Sequence, residues 1–358
     1  MSKDMMNYIR ESGTAVRWIS ENQAENFNGA IDMCLEKNIQ HIYIVGSGTS
    51  YHAGVGARNI IQDELKIPVD VRYAMQFKDS ELLVNPNALV IGVSHEGHST
   101  STIAALKRAK AADLLTIAMT VEKDTPVAKA ADCYVPIAIG SENVGPKTKG
   151  YIGSMANVIL FLLEYGVQKK IITAERKNEL SNRMFNVTDR IPQIAEAAEQ
   201  WYAKNREDLL KSRRIITVGY KNCLSAMMEG TLKMEESLRY SVVGYDLEEF
   251  MHGIYHSIDE NTYLFYLASS EEYFDRCIRM KMYFEKERHS HNYVFSAEKK
   301  ANDQRAFIFD FKNDPYFMSM EYVVPMQVFA RLCSLDLGID CEIPSDPLFH
   351  EKMGSYTY

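Results

Sequence analysis

No two of the six cysteines (Cys34, Cys133, Cys223, Cys277, Cys333 and Cys341) stand in CxxC spacing, and all lie in otherwise apolar segments. That pattern excludes a recognisable zinc or redox motif and favours buried free thiols in a reducing cytoplasm over a disulfide framework. The nine histidines form no HExxH or comparable pattern, so no metal is expected. No window approaches 18 uninterrupted apolar residues, which argues against a membrane span. Met1 to Glu11 lacks the apolar stretch of a secretory signal. Basic residues are outnumbered: 40 Lys and Arg against 48 Asp and Glu give a net charge of −8. A general nucleic-acid binder needs the opposite excess, whereas a small anionic ligand needs only a local site.

What is present fits an enzyme-sized α/β protein. A length of 358 residues allows two domains, and 46% hydrophobic with 25% charged residues is ordinary for a globular chain. Short β-branched runs alternate with helical patterns. The runs predict strands over His41–Val45, Val69–Tyr73, Ala88–Ser94, Leu114–Met119, Cys133–Pro136, Ile215–Gly219, Tyr263–Ala268, Asn292–Phe295 and Phe307–Phe309. Helices are expected over Ala24–Lys37, Tyr51–Leu65, Ser101–Ala112, Ser154–Tyr165, Leu224–Leu238, Glu272–Glu285 and Met320–Ser334. Such alternation predicts doubly wound parallel sheets. The polar stretch from Thr173 to Lys204 reads as helices joining two units, divided at Pro192. The chain also repeats: Ile42-Tyr43-Ile44-Val45-Gly46 recurs as Ile215-Ile216-Thr217-Val218-Gly219, and at the same spacing Ala53, Leu65 and Phe77 meet Ala226, Leu238 and Phe250. Two copies of one α/β unit are therefore expected. The segments are an N-terminal helical stretch over 1–36, units over 37–170 and 207–345, linking helices over 171–206 and a tail over 346–358.

Three loops should meet at the carboxyl edge of the first sheet. Val45-Gly46-Ser47-Gly48-Thr49-Ser50-Tyr51-His52-Ala53-Gly54 passes from strand to helix through a glycine- and hydroxyl-rich turn. Such a turn aims N–H groups and hydroxyls at one point, where the helix dipole favours an anion. Val93-Ser94-His95-Glu96-Gly97-His98-Ser99-Thr100 follows the next inner strand and opens another helix, although Ser99 or Thr100 would also serve as a plain N-cap. Glu142 to Gly150 follows Cys133–Ile139, and Lys147 and Thr148 there could face an anion or simply solvent. Further on, Glu229, Lys233 and Glu236 share one helix face. By spacing alone that face reads as an exposed salt-bridge stripe, and His252-Gly253 as a helix end.

Taken together these stretches resemble the sugar isomerase (SIS) family, in particular the isomerase part of glucosamine-6-phosphate synthase and the fructosamine-6-phosphate deglycases. Gly48–Gly54 is similar to the family's GTSYHAG, and Ser94–Ser99 to SQSGET. Glu229–Glu236 is similar to EGALKLKE, and Glu249–Ile254 to ELKHGP. The resemblance runs from about residue 25 to the end. It implies two tandem SIS units and no organic cofactor. It implies that Ser50, Ser94, His95 and Ser99 bind a sugar phosphate, with Glu96 at another such position and Gly145 lining the sugar site. It makes Glu236 the carboxylate that moves a proton between the first two sugar carbons, and His252 the histidine that assists ring opening, contributed by the neighbouring subunit of a homodimer or larger homo-oligomer with shared sites.

Three departures shape the expected activity. Glu96 stands where the family has serine; beside a phosphate it must point away, pair with Lys or His, or bind a cationic part of the substrate, and the last two are favoured. No lysine falls at the family's C-terminal catalytic position, though His350 and Lys352 lie near it. Met1 is followed directly by the SIS unit, with no glutaminase segment to supply ammonia. The expectation is a cytoplasmic deglycase that releases a free amine and a hexose 6-phosphate from a 6-phosphorylated sugar–amine adduct of the fructoselysine or glucoselysine type. An aldose–ketose isomerase, an aminosugar-phosphate deaminase and a non-catalytic phosphosugar sensor are the alternatives.

Overall fold

The computed structural model describes residues 3–80, 85–269, 272–301 and 303–357; Met1, Ser2 and Tyr358, which open and close the expected segments, lie outside them. The chain divides into two units. The first-sheet unit comprises Ser12–Asn143, Lys149–Phe185 and Ser345–Tyr358, and the second-sheet unit comprises Met1–Glu11, Val144–Thr148 and Asn186–Pro344.

In the first-sheet unit β1 (His41–Gly46), β2 (Val69–Tyr73), β3 (Ala88–Val93), β4 (Leu115–Thr120) and β5 (Cys133–Pro136) form one parallel sheet in the order β2-β1-β3-β4-β5. Its inner strands are buried along their length, which is why they read as unbroken apolar runs. In the second-sheet unit β6 (Ile215–Gly219), β7 (Val242–Asp246), β8 (Tyr263–Leu267), β9 (His291–Ser296) and β10 (Phe307–Ile308) repeat the arrangement as β10-β9-β8-β6-β7. The doubly wound architecture is thus present twice. Phe77 and Phe250, matched by the sequence repeat, are both fully buried just after the edge strands β2 and β7.

Two elements differ from the sequence reading for visible reasons. Strand β7 was not anticipated: it pairs only with β6, is mostly half-exposed and contains Gly244, so it lacks an apolar signature. The helix expected at Ser154–Tyr165 spans Lys149–Gln168. Its start is set from a distance, because the buried Glu142 carboxylate accepts hydrogen bonds from the Lys149 N–H (3.1 Å) and the Gly150 N–H (2.7 Å). This helix is long and apolar enough on composition to cross a membrane, but 89% of its apolar window is buried inside the fold, so it is a core helix. Pro192 sits in the first turn of Ile191–Leu209, where its missing N–H costs nothing, and separates that helix from Ala174–Thr188.

Gly54 shows how tightly the Thr49–Leu65 helix crosses its sheet. A Cβ there would lie 2.9 Å from both Ile44 Cγ2 and Val71 Cγ1. Gly54→Ala should therefore lower stability by about 1–3 kcal/mol, read as a shift of the urea midpoint.

In the second-sheet unit the Met318–Asp336 helix packs along Leu224–Leu238. Near its start the fully buried Glu321 accepts hydrogen bonds from the N–H groups of Lys312 (3.0 Å) and Asn313 (2.8 Å). Burial pushes its carboxyl from 4.5 up to about 7, against the pull of those two N–H groups. A raised carboxyl contributes stability that is fully present below the unfolded value and lost as pH rises through the folded one. Thermal stability should therefore fall as pH rises from about 4.5 to about 7, by up to ~3 kcal/mol from this group. In Glu321→Gln that segment of the stability–pH curve should flatten, whatever the variant's baseline.

Candidate functional site

The first-sheet unit brings two of the expected loops, the candidate anion cradle, to one crevice. Order β2-β1-β3 means that the chain leaves β1 toward one side and β3 toward the other, so their following loops face a common crevice. Helix Thr49–Leu65 begins after β1 and helix Thr100–Lys110 after β3, and neither has an acidic residue in its first turn. Both therefore present the positive end of a helix dipole unopposed. Gly48, at φ +54°, supplies the left-handed turn into the first helix.

Hydroxyls line this crevice. Ser50 and Ser94 are nearly buried there, at 8% and 7% exposed. The Ser99 hydroxyl lies 3.0 Å from that of Ser101, which lies 3.3 Å from that of Ser47, joining the two loops. Ser99 also accepts from the Thr102 N–H at 3.4 Å, so it is the N-cap of its helix as well as a cradle residue. His95 is half-buried, and its Nδ1 would be 3.0 Å from a Cβ on Gly150, so the start of the Lys149–Gln168 helix fits closely against it. Glu96 is exposed on the turn between Ser94 and Gly97. A solvated carboxylate there avoids the repulsion that a buried one would impose on a bound phosphate.

The tail straps the second loop, a contact the sequence did not reveal. Thr100 N–H donates to Ser355 O (3.1 Å), Thr100 Oγ1 to Gly354 O (2.9 Å) and Thr357 N–H to His98 O (2.9 Å), while Ser99 and Tyr356 form an antiparallel bridge. His350 and Lys352, the candidates for the missing lysine, brace this strap. The His350 ring stacks on Tyr356 with centroids 3.9 Å apart and bonds Ser355 Oγ at 2.8 Å; Lys352 pairs with Asp346 at 2.9 Å. Both are exposed.

The second-sheet unit carries the proton-transfer candidates. Here the expected exposed stripe is corrected. Glu229 and Lys233 are buried, with side chains 0% and 1% exposed, because the helix that bears them packs against Met318–Asp336; only Glu236, at 36%, reaches solvent. Lys233 Nζ lies 3.3 Å from Glu229 and 2.6 Å from Glu236. Burial disfavours its charge, yet the two flanking carboxylates and their hydrogen bonds outweigh that and raise its pKa. The ammonium therefore stays charged and holds the Glu236 carboxylate in one orientation. Lys233 is the candidate whose place the local pattern hides: its spacing is plain in the sequence, its burial is not.

His252 is exposed on the turn after Leu247–Phe250. Gly145 does not join the cradle unit. It belongs to the second-sheet unit, where its N–H donates to Glu342 O at 3.2 Å and a Cβ would meet Cys341 O at the same distance. Lys147 Nζ is turned onto Val144 O (2.8 Å), and Thr148 is fully buried. Among the described residues no group of three or more His, Cys, Asp or Glu side chains converges on a metal-sized point.

Lys233→Met should strand the buried Glu229 carboxylate without its cation. The expected loss is about 3–5 kcal/mol of folding stability, measured by urea denaturation.

Residues 37–164 match the SIS domain. Over 312 residues the chain is 27% identical to a glutamine–fructose-6-phosphate aminotransferase (isomerizing) of Clostridium tetani (strain Massachusetts / E88), a match that takes in 86% of this chain and 51% of that protein. The chain thus spans about half the length of this curated relative. A candidate phosphosugar isomerase from Clostridium difficile 630 superimposes with a TM-score of 0.93 at 29% identity, covering 99% of each chain. A candidate sugar-binding protein from Salmonella typhimurium LT2 gives 0.82 at 29% identity, covering 91% of this chain and 98% of that one. Residues 37–164 therefore belong to the SIS domain family.

Proposed function

We propose that the protein is a phosphosugar enzyme that removes the amine from a 6-phosphorylated sugar–amine adduct of the fructoselysine or glucoselysine type, releasing hexose 6-phosphate. The observation that carries this reading is the Glu236 carboxylate, held on the buried Lys233 ammonium yet open to solvent. A ketosamine loses its amine when one proton leaves C1 and another arrives at C2, giving an imine that water cleaves. One positioned carboxylate can move both protons. The phosphate is a remote handle whose binding energy positions the reacting carbons, and Ser50, Ser94 and Ser99 supply its ligands. Glu96, exposed in a loop that otherwise favours anions, suits an ammonium-bearing substrate. His252 assists ring opening, a role for a group that exchanges protons near neutral pH. Its exposure suits a residue lent to the neighbouring copy of a homodimer. The six free cysteines fit a cytoplasmic setting.

A second reading is an aldose–ketose isomerase using the same residues, favoured by the likeness to the candidate phosphosugar isomerase of Clostridium difficile 630. Both need the Glu236 proton transfer and differ in what leaves the sugar.

Incubation with fructoselysine 6-phosphate should release glucose 6-phosphate and free lysine, and glucoselysine 6-phosphate should release free lysine and a hexose 6-phosphate, whereas fructose 6-phosphate should not be interconverted with its aldose. The reverse pattern would establish the isomerase instead. Glu236→Gln should lower kcat by about 10²–10⁴ with little change in KM. Ser94→Ala should act mainly through KM, by about tenfold.

A further inference from the structure

A cavity of about 540 Å3 opens at the carboxyl edge of the second sheet, lined by none of the residues assigned a role above. Its walls come from the turn after β6 (Lys221), the turn after β7 (Asp246, Glu248) and the segment after β8 (Glu272, Tyr273, Arg276). Its size falls within the range of small-molecule sites. Order β10-β9-β8-β6-β7 makes the gap between β6 and β8 the point where the chain reverses its winding, which is where open parallel sheets bind ligands.

Strand register says what this second crevice keeps and what it has replaced. Ile42 pairs with Leu89 across β1 and β3, and Ile215 pairs with Tyr263 across β6 and β8. Carried forward, Gly48 corresponds to Lys221, Ser50 to Cys223 and Ser94 to Ala268. Both members of the first pair have positive φ, Gly48 at +54° and Lys221 at +49°. A left-handed conformation disfavours any residue with a Cβ, so a lysine is held there against its own preference. The hydroxyls are gone, since Cys223 and Ala268 are fully buried. This crevice is not a second copy of the phosphate cradle.

It offers charges of both signs instead. Lys221 Nζ stands 3.8 Å from Glu272, a loose pair with side chains 39% and 70% exposed. Arg276 pairs with Glu248, and these side chains are 40% and 57% exposed. Both cations also lie over the Tyr273 ring, at 5.5 Å for Lys221 and 5.6 Å for Arg276. Asp246 is engaged otherwise, accepting from the N–H groups of Glu248 and Glu249. A simple anion drawn to the cations would strand Glu272 and Glu248, and a simple cation would strand Lys221 and Arg276. A molecule carrying both charges replaces each wall pair with a new one and leaves nothing unmatched.

We propose that this cavity is a second ligand site, for a free α-amino acid. Lys221 and Arg276 take the carboxylate, Glu272 and Glu248 take the ammonium, and Tyr273 offers a face to the side chain. The site stands on the second-sheet unit alone and does not depend on the reaction proposed above.

Isothermal titration calorimetry of the full chain tests it. The probes are L-lysine, L-glutamine and glycine, with inorganic phosphate and methylammonium as single-charge controls. At least one amino acid should bind with a millimolar or lower Kd. Lys221→Gly and Arg276→Gln should each weaken that binding by about tenfold or more. Lys221→Gly places a residue that readily adopts the left-handed backbone, so its thermal midpoint should not fall below that of the parent, and lost binding then reports the lost ammonium. The proposal is overturned if none of the three amino acids binds, if phosphate binds more tightly than all of them, or if both variants bind unchanged.

Discussion

Both crevices of this protein depend on one topological constraint. A parallel sheet wound 2-1-3-4-5 must reverse direction once, and at that reversal the loops after the first and third strands diverge to leave a crevice. Right-handed crossovers then start a helix on each side, so the crevice collects helix N-termini without any special design. The chain contains this arrangement twice. In the first sheet it is furnished with small hydroxyl residues, and in the second with long charged ones. The same backbone solution therefore presents two chemistries.

The second organising element is electrostatic. A buried ammonium is normally expensive, because removing it from water costs more than one partner returns. Lys233 avoids that outcome by having two carboxylates on its own helix, one buried and one reaching solvent. Such a line of charge stabilises the fold little by itself. What it provides is orientation: the outer carboxylate cannot swing away without leaving the ammonium underneath it half-paired. This matters for a proton-transfer group, where a small displacement is costly in rate.

Much of this was legible in the residues. The strands of the first sheet were readable because burial on both faces demands continuous apolar runs, as in Ile42–Val45 and Leu89–Val93. The internal repeat announced the second sheet through Ile215–Gly219. The two crevice loops stood out because glycine and hydroxyl clusters between a strand and a helix have few other uses. Strand β7 was missed because an edge strand with one paired side needs no such run. Lys233 was misjudged for the converse reason: charged residues spaced three and four apart look the same whether their helix faces water or another helix.

By itself, then, the sequence determined local chemistry and periodicity: which segments become strands, where the anion-seeking turns fall, and which carboxylate lies within reach of which lysine. Tertiary structure decided everything that depends on residues far apart in the chain. Packing against Met318–Asp336 buried Glu229 and Lys233 and left Glu236 as the end that reaches solvent. The tail's backbone, laid over His98–Thr100, gave His350 and Lys352 a bracing role. Gly145 was drawn to Cys341 and Glu342, nearly two hundred residues away in sequence and not in the cradle's unit. Burial and long-range pairing are collective properties of the folded chain, so no local pattern records them.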